Sequence, residues 1–308
     1  MLTRIKTALV YGLVVAVLVI PGCWVPEYML ILLTLLAWLA SGEMSRALAK
    51  RGYGISAKQL TTLYYAFWPA YFYLRLSGQA KFVVSGQALL QDPGKLKNMD
   101  SRLLLTLCLV YGLTLVLLSL YQIFKSLFKE GAKALPEALV SLAAGYYISL
   151  PIFAAFLLIF ALPGGWWLFL LALVTPWVAD SAAYFAGRQW GKKPIVPALS
   201  PNKTYVGFYG SVVGSLVFFF LLYLWLSPKF LPASQMSVKM GFFVCVIGGV
   251  LGALIELGDW LASAIKRSCG IKDFSNLLPG HGGVIDRFDS TFFTFISILA
   301  IALLAYFF

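Results

Sequence analysis

The sequence predicts an all-α, polytopic integral membrane protein with about nine transmembrane helices and polar cytoplasmic loops that form a functional site. Three observations lead to this prediction. The 308 residues have a mean hydropathy of +0.86, and only 12% of them are charged. Apolar runs close to the roughly 20 residues needed to cross a bilayer recur from one end of the chain to the other. One stretch, residues 263–289, interrupts this pattern with both signs of charge.

Nine apolar segments follow one another along the chain. They are predicted at 7–21, 28–49, 60–76, 102–124, 136–162, 164–187, 207–227, 240–267 and 290–308. The first segment is not followed by a small-residue cleavage site, so a retained helix is expected rather than a signal peptide. The third contains Pro69 and ends in Arg75, so a re-entrant segment stays open as an alternative.

The segments group into two predicted regions. Residues 1–135 form an N-terminal membrane region of about four spans that includes a loop at 77–100. Residues 136–308 form a C-terminal catalytic membrane region of about five spans. The four cysteines are scattered without a CxxC pair, so neither a disulfide framework nor a zinc site is expected.

The net charge of +12 is interpreted as a signal of membrane orientation and not of nucleic-acid binding. With nine spans and a cytoplasmic N-terminus, 17 of the 24 basic residues lie on the cytoplasmic side. If the third segment does not cross the membrane, the basic residues divide 13 to 11 between the two sides. The positive-inside rule favours nine spans, which places the 188–206 loop and residues 263–289 in the cytoplasm.

The eighth segment carries a polar face. Its members are spaced at i, i+3, i+7, i+10 and i+11, which confines them to an arc of roughly 100° on a helix. They are Glu256, Asp259, Ser263, Lys266 and Arg267. A network of salt bridges that joins helices would explain this face, but ionisable residues at membrane depth usually mark functional sites. Carboxylates followed by cations suit a complex of Mg²⁺ with a triphosphate.

A glycine-rich turn precedes the ninth segment. His281, the only histidine, is followed by Gly282 and Gly283. Glycines allow backbone N–H groups to face an anion. Asp286 and Asp289 follow at i, i+3, which puts both carboxylates on one face if the helix begins there. An ordinary hydrogen-bonded turn is the alternative for the histidine.

A third polar cluster spans the sixth segment and the loop after it. Asp180 interrupts an apolar run and is expected to face the protein interior. Ser200, Lys203 and Thr204 place two hydroxyl groups and a cation before a helix, which is typical of a phosphate-binding start. A simple turn with a helix cap at Thr204 or Ser200 is the alternative.

Two further patterns are interpreted as structural. Small residues in the seventh and eighth segments are expected to let helix backbones approach closely. They are Gly207, Gly210, Gly214, Gly248, Gly249 and Gly252. Glu43 and Arg46, at i, i+3 near the end of the second segment, predict a local ion pair without a catalytic role.

The pattern SxxKRxxxxKDxxxxxPxHGGxxDRxD, which runs without a gap over residues 263–289, resembles the signature of the CDP-diacylglycerol synthases, or phosphatidate cytidylyltransferases. Asp180-Ser181 and the Ser200-Pro201-x-Lys203-Thr204 run resemble a second conserved block. Val206 departs from the family, whose members often carry Glu or Gln there, so no polar role is assigned to it. The resemblance covers residues 180–290, and the rest resembles the family only in its hydropathy profile.

The resemblance implies that CTP and phosphatidate react to CDP-diacylglycerol and pyrophosphate, with Mg²⁺ as cofactor and room for a second cation. The residues that match the family motif then take three roles. The implied metal ligands are Asp259, Asp286, Asp289 and Asp180. The implied catalytic residues are Asp259, Asp286, Lys266, Arg267, His281 and Arg287. The implied substrate-binding residues are Ser200, Lys203, Thr204, Ser263, Lys272, Gly282 and Gly283.

The expected partners are CTP, phosphatidate and the lipid bilayer, without nucleic acid. A homodimer is one expected assembly. The expected location is the inner membrane of a bacterium, with the site facing the cytoplasm. Two other functions stay open at this point: a CTP-dependent polyprenol or phytol kinase, and a secondary transporter, for which an internal repeat would be typical.

Overall fold

The computed structural model describes residues 2–77, 101–162, 164–230, 237–280 and 282–307, and this part of the chain is almost entirely helical. Its α-helices are α1 Leu2–Val19, α2 Tyr28–Lys50, α3 Ala57–Tyr64, α4 Phe67–Leu76, α5 Ser101–Glu130, α6 Leu135–Ala161, α7 Gly165–Trp190, α8 Tyr205–Phe230, α9 Val238–Ser268 and α10 Ile285–Phe307. Two strands, β1 Pro194–Val196 and β2 Ser200–Thr204, form an antiparallel hairpin between α7 and α8. The predicted all-α membrane class is confirmed.

The third apolar segment is helical but broken. It forms α3 and α4, which contain 8 and 10 residues and meet at a turn over Tyr65 and Ala66. Pro69 explains the break, because proline is tolerated in the first turn of a helix but not in its interior. At 1.5 Å per residue each piece is about 12–15 Å long, which is roughly half the thickness of the bilayer core.

Six helical stretches in the described part of the chain are long and apolar enough to cross a membrane. They are Tyr28–Lys50, Ser101–Ala161, Gly165–Trp190, Tyr205–Leu226, Val238–Ser268 and Ile285–Ala305. The second of these contains both α5 and α6, which are joined by a 3₁₀ turn at Gly131–Ala134. The count of nine spans and the two-region division therefore stay predictions, and residues 78–100 of the predicted loop lie outside the described residues.

Glycines bring α7, α8 and α9 into close contact. A Cβ atom added at Gly210 of α8 would lie 2.6 Å from the Cβ of Ala186 in α7. One added at Gly252 of α9 would lie 2.7 Å from the carbonyl oxygen of Ser211 in α8. The Ser211 hydroxyl in turn donates a 3.0 Å hydrogen bond to the carbonyl oxygen of Gly252. The predicted packing role is confirmed for Gly207, Gly210, Gly214, Gly248 and Gly252, whereas a Cβ atom at Gly249 would make only an ordinary contact.

The other helices are joined by aromatic rings. Tyr111 of α5 stacks on Phe153 of α6, with ring centroids 3.6 Å apart. Phe169 of α7 stacks on Phe295 of α10 at 5.1 Å. The fully buried Phe156 of α6 also contacts the ring of Phe67 at the start of α4. These contacts fix α10 and α7 side by side, which matters because both carry acidic residues of the predicted site.

Several polar ends meet at one end of the bundle. The Arg51 guanidinium, just after α2, donates a 2.6 Å hydrogen bond to the carbonyl oxygen of Ser268 at the end of α9. The Arg267 Nε donates to the carbonyl oxygen of Leu199 in the hairpin at 3.1 Å. The end of α9, the hairpin and the start of α8 therefore lie together, as the sequence predicts, and the end of α2 joins them.

We predict that Gly252→Ala lowers the free energy of unfolding by about 1–3 kcal/mol, because the new methyl group collides with the backbone of α8. Gly249→Ala is the matched control, since its Cβ would lie 3.6 Å from the nearest atom, at ordinary contact distance. Thermal unfolding in detergent measures both variants. Equal melting temperatures for the two would contradict the close approach of α8 and α9.

Candidate active site

Lys203 of β2 connects the hairpin to the polar face of α9. Its Nζ lies 2.7 Å from Oε2 of Glu256 and also forms an ion pair with Asp259. Burial alone would lower the pKa of Lys203, but the two carboxylates outweigh this effect and raise the pKa above its ordinary value. Lys203 therefore keeps its positive charge, and that charge is now shared by two carboxylates.

Lys266 and Asp286 form the second ion pair, between α9 and α10. Their Nζ and Oδ1 atoms lie 2.8 Å apart, and the side chains are 12% and 4% exposed. The other carboxylate oxygen of Asp286 accepts backbone N–H groups of Phe274 and Gly283, each at 2.8 Å. Both oxygens of Asp286 are thus engaged by the protein, which makes this residue a tether for the loop between the two helices.

Asp180 and Asp289 complete the acidic group. Asp289 of α10 is buried, and its charge interacts with those of Asp259, Lys266 and Asp180. Asp180 of α7 lies within electrostatic range of Asp259 and Glu256. Asp180, Asp259 and Asp289 come from three helices and lie within electrostatic range of one another, and their role as metal ligands stays a prediction.

The glycine-rich turn also faces carboxylates. Gly282 has a φ of +82°, a conformation that favours glycine, and its carbonyl oxygen accepts the Leu278 N–H at 2.9 Å. The Gly283 N–H donates a hydrogen bond to the Asp286 carboxylate. The anion bound by this amide is therefore a side chain of the protein. His281 lies outside the described residues.

Glu43 is the site residue that sequence reasoning missed. The predicted ion pair with Arg46 is wrong, because Glu43 is buried and accepts hydrogen bonds from the loop before α10. Its carboxylate receives the Ser275 hydroxyl at 2.5 Å and the N–H groups of Val284 and Ile285 at 2.8 and 2.9 Å. The available signal was a single carboxylate inside an apolar segment, which by itself indicates a functional candidate.

The hairpin residues have mainly structural contacts. Thr204 caps α8, because its Oγ1 accepts the N–H of Gly207 at 3.1 Å, and Ser200 pairs with Val196 across the hairpin. The alternative interpretation of this loop as a turn with a cap is therefore confirmed for Thr204. Ser263 lies beside Asp259, with its hydroxyl 3.4 Å from Oδ1.

The remaining cations line the outside of the site. Arg267, Lys272 and Arg287 are exposed. Arg267 is partly engaged, since its Nη1 donates to the carbonyl oxygen of Ile271 at 3.2 Å. Positive side chains at this rim are suited to attract a polyanionic substrate into the site.

The acidic group has the chemistry of a magnesium site without a preformed cluster. Among the described residues, no three acidic, histidine or cysteine side chains lie close enough to surround one ion. The ion pairs found in the described chain include neither Asp180 nor Asp289, although their charges repel each other and that of Asp259. Carboxylate oxygens without a paired cation are suitable ligands for Mg²⁺. The magnesium assignment stays a prediction.

Comparisons with known proteins identify the family. A family model described as the cytidylyltransferase family matches residues 2–307. A phosphatidate cytidylyltransferase of Bacillus subtilis (strain 168) is 41% identical over 122 residues, which is 40% of this chain and 42% of that protein. One of Haemophilus influenzae is 40% identical over 126 residues, 41% of this chain and 42% of that protein. One of Staphylococcus aureus (strain COL) is 38% identical, with 40% and 44% covered. The matched stretch thus spans less than half the length of these relatives.

We predict that Lys203→Met destabilises the protein, because it leaves Glu256 and Asp259 without their cation. Removing one partner of a buried pair costs about 3–5 kcal/mol, and partial exposure of Lys203 places the expected loss at the lower end. The double variant Lys203→Met/Glu256→Gln should recover part of the loss. Thermal unfolding at neutral pH in detergent measures both, and an unchanged melting temperature of Lys203→Met would refute the pairing.

Proposed function

The chain belongs to the cytidylyltransferase family, and we propose that it transfers the cytidylyl group of CTP to phosphatidate, giving CDP-diacylglycerol and pyrophosphate. One observation carries the proposal. Lys203 and Lys266 form ion pairs with carboxylates of α9 and α10, and Asp180 of α7 and Asp289 of α10 interact electrostatically with this group. It contains five carboxylates, namely Asp180, Glu256, Asp259, Asp286 and Asp289. Such a site suits a reaction between a water-soluble nucleotide and a bilayer lipid.

The chemistry needs positioning and positive charge more than proton transfer. A phosphate oxygen of the lipid attacks the α-phosphorus of CTP, the bond from that phosphorus to the bridging oxygen breaks, and pyrophosphate leaves. A phosphate monoester is largely ionised near neutral pH, so the nucleophile needs no strong general base. Lys203, Lys266, Arg267, Lys272 and Arg287 would neutralise the phosphates and hold them in line.

Magnesium is part of the proposal. Asp180, Asp259 and Asp289 would hold the ion. The hydrogen bonds of Asp289 from Ser290 use only Oδ1, whereas Asp259 now contacts Ser263 and Lys203 and would exchange Lys203 for the ion. Asp286 would contribute from the adjacent turn, where it now binds Lys266. When bound, Mg²⁺ supplies charge neutralisation for the triphosphate and the leaving pyrophosphate. The protein supplies the oxygen donors and the surrounding cations, and its apolar helices limit the access of water.

The proposed location of the site follows from the distribution of basic residues and from the route by which the lipid substrate would enter. The positive-inside rule places the 188–206 loop and residues 263–289 in the cytoplasm, where CTP is available. The lipid would enter from the inner membrane between helices, since large apolar side chains are exposed along α8 and α9. The homodimer stays a prediction.

We predict that Asp259→Asn abolishes Mg²⁺-dependent formation of CDP-diacylglycerol without unfolding the protein. The asparagine keeps the shape of the side chain but removes the charge that a cation needs. Purified protein with CTP labelled at the α-phosphorus, phosphatidate and Mg²⁺ gives the readout, with identification of both products. Glu130→Gln, which changes an exposed carboxylate at the end of α5, is the control.

The same assay separates the alternatives. A CTP-dependent lipid kinase would release CDP and leave the label in the nucleotide, whereas the proposed reaction transfers the label to the lipid and releases pyrophosphate. Full activity of Asp259→Asn with unchanged metal dependence would overturn the metal assignment. Absence of labelled lipid with the unmodified protein would overturn the proposed function itself.

A further inference from the structure

Glu43 lies in the N-terminal part of the chain, but its hydrogen-bonding partners lie in the loop between α9 and α10 and at the first residue of α10. Its carboxylate accepts the hydroxyl of Ser275 and the backbone N–H groups of Val284 and Ile285. These partners are between 232 and 242 residues away in sequence. Glu43 is only 1% exposed, so bulk water does not compete for these hydrogen bonds.

The contact occurs at the first residue of α10. The first N–H groups of a helix have no partner within it, and the helix dipole favours negative charge at this end. Glu43 fills both needs from a different helix. A helix start is also a common binding place for a substrate phosphate, and here a protein carboxylate occupies it. A buried charge with three good donors is expected to be well fixed in position.

Gly283 is adapted to this carboxylate. A Cβ atom at this position would lie 2.5 and 2.6 Å from the two oxygens of Glu43, and Glu43 provides all three of the nearest atoms. Its φ is not in the left-handed region, so alanine would be excluded here by contact and not by backbone strain. The two residues therefore form a matched pair.

We propose that Glu43 is a positioning residue for the cytidylyl transfer, a role that rests on the proposed function. It fixes the start of α10, and through it the acidic residues of the first turns, Asp286 and Asp289, relative to Lys266 and Asp259. Glu43 itself does not touch the reacting groups. Because transfer between phosphates depends on alignment, a small displacement of α10 lowers the rate of the chemical step more than substrate binding.

The test is a double-variant cycle with Glu43→Ala, Gly283→Ala and both together. Misplacement of about 1 Å can cost on the order of 100-fold in rate, so each single variant should lower kcat by about 10- to 100-fold with a smaller change in KM for CTP. In the double variant the methyl group enters the space that the carboxylate has left. Its kcat should therefore equal that of Glu43→Ala instead of falling by the product of the two effects. Arg46→Ala, an exposed neighbour on α2, is the control and should keep full activity.

A second measurement covers variants that fold poorly and does not depend on activity. Hydrogen exchange of peptides that span residues 275–288 should become faster in Glu43→Gln, because the amide group cannot accept all three bonds, while exchange in α5 and α6 stays unchanged. Rates are compared per folded molecule, so a purely structural role would lower the melting temperature and leave kcat unchanged. That result, or multiplicative losses in the double variant, would overturn the proposal. If the unmodified protein forms no labelled lipid, the proposed function fails while the exchange data still test the role of Glu43 in holding the turn.

Discussion

Lys203 and Lys266 allow acidic side chains to exist inside an otherwise apolar bundle, and the arrangement of the site follows from their ion pairs. Lys203 comes from the hairpin and reaches Glu256 and Asp259, whereas Lys266 reaches across to Asp286. Charges at this depth are costly unless they are paired, so each pair fixes the distance between the elements that supply it. The hairpin, α9 and α10 cannot separate without leaving a carboxylate unpaired.

The surrounding helices serve this electrostatic arrangement. Glycines allow α8 to lie directly against α7 and α9, which positions the hairpin that precedes α8 over the polar face of α9. The acidic residues Asp180 and Asp289 come from helices that are packed together through Phe169 and Phe295. Oxygen donors from three helices thus lie within electrostatic range of one another, with exposed cations nearby. This is the combination that a Mg²⁺-dependent reaction between two phosphate compounds requires.

Local patterns in the sequence predicted much of this site. The spacing of Glu256, Asp259 and Lys266 placed them on one face, and the cap at Thr204 followed from its position before a helix. Long-range partners were not predictable in the same way. Nothing near Glu43 in the sequence indicates Val284, which is 241 residues away, and the nearby Arg46 suggested a wrong partner. Pro69 indicated that the third apolar segment is not a regular transmembrane helix. The exact position of the break between α3 and α4 also depends on the packing of neighbouring side chains.

A cryo-electron microscopy map of the purified protein with Mg²⁺ and a non-hydrolysable CTP analogue tests the central claim most directly. We expect triphosphate density beside Lys203 and Asp259, with the metal on the acidic side chains of α7, α9 and α10. The described part of the chain also has a cavity of about 430 Å³ between α3, α5 and α6, lined by charged residues of both signs, among them Lys58, Lys125, Lys129, Glu130 and Glu137. Nucleotide bound in that cavity, with Asp259 still paired only to Lys203, would contradict the account.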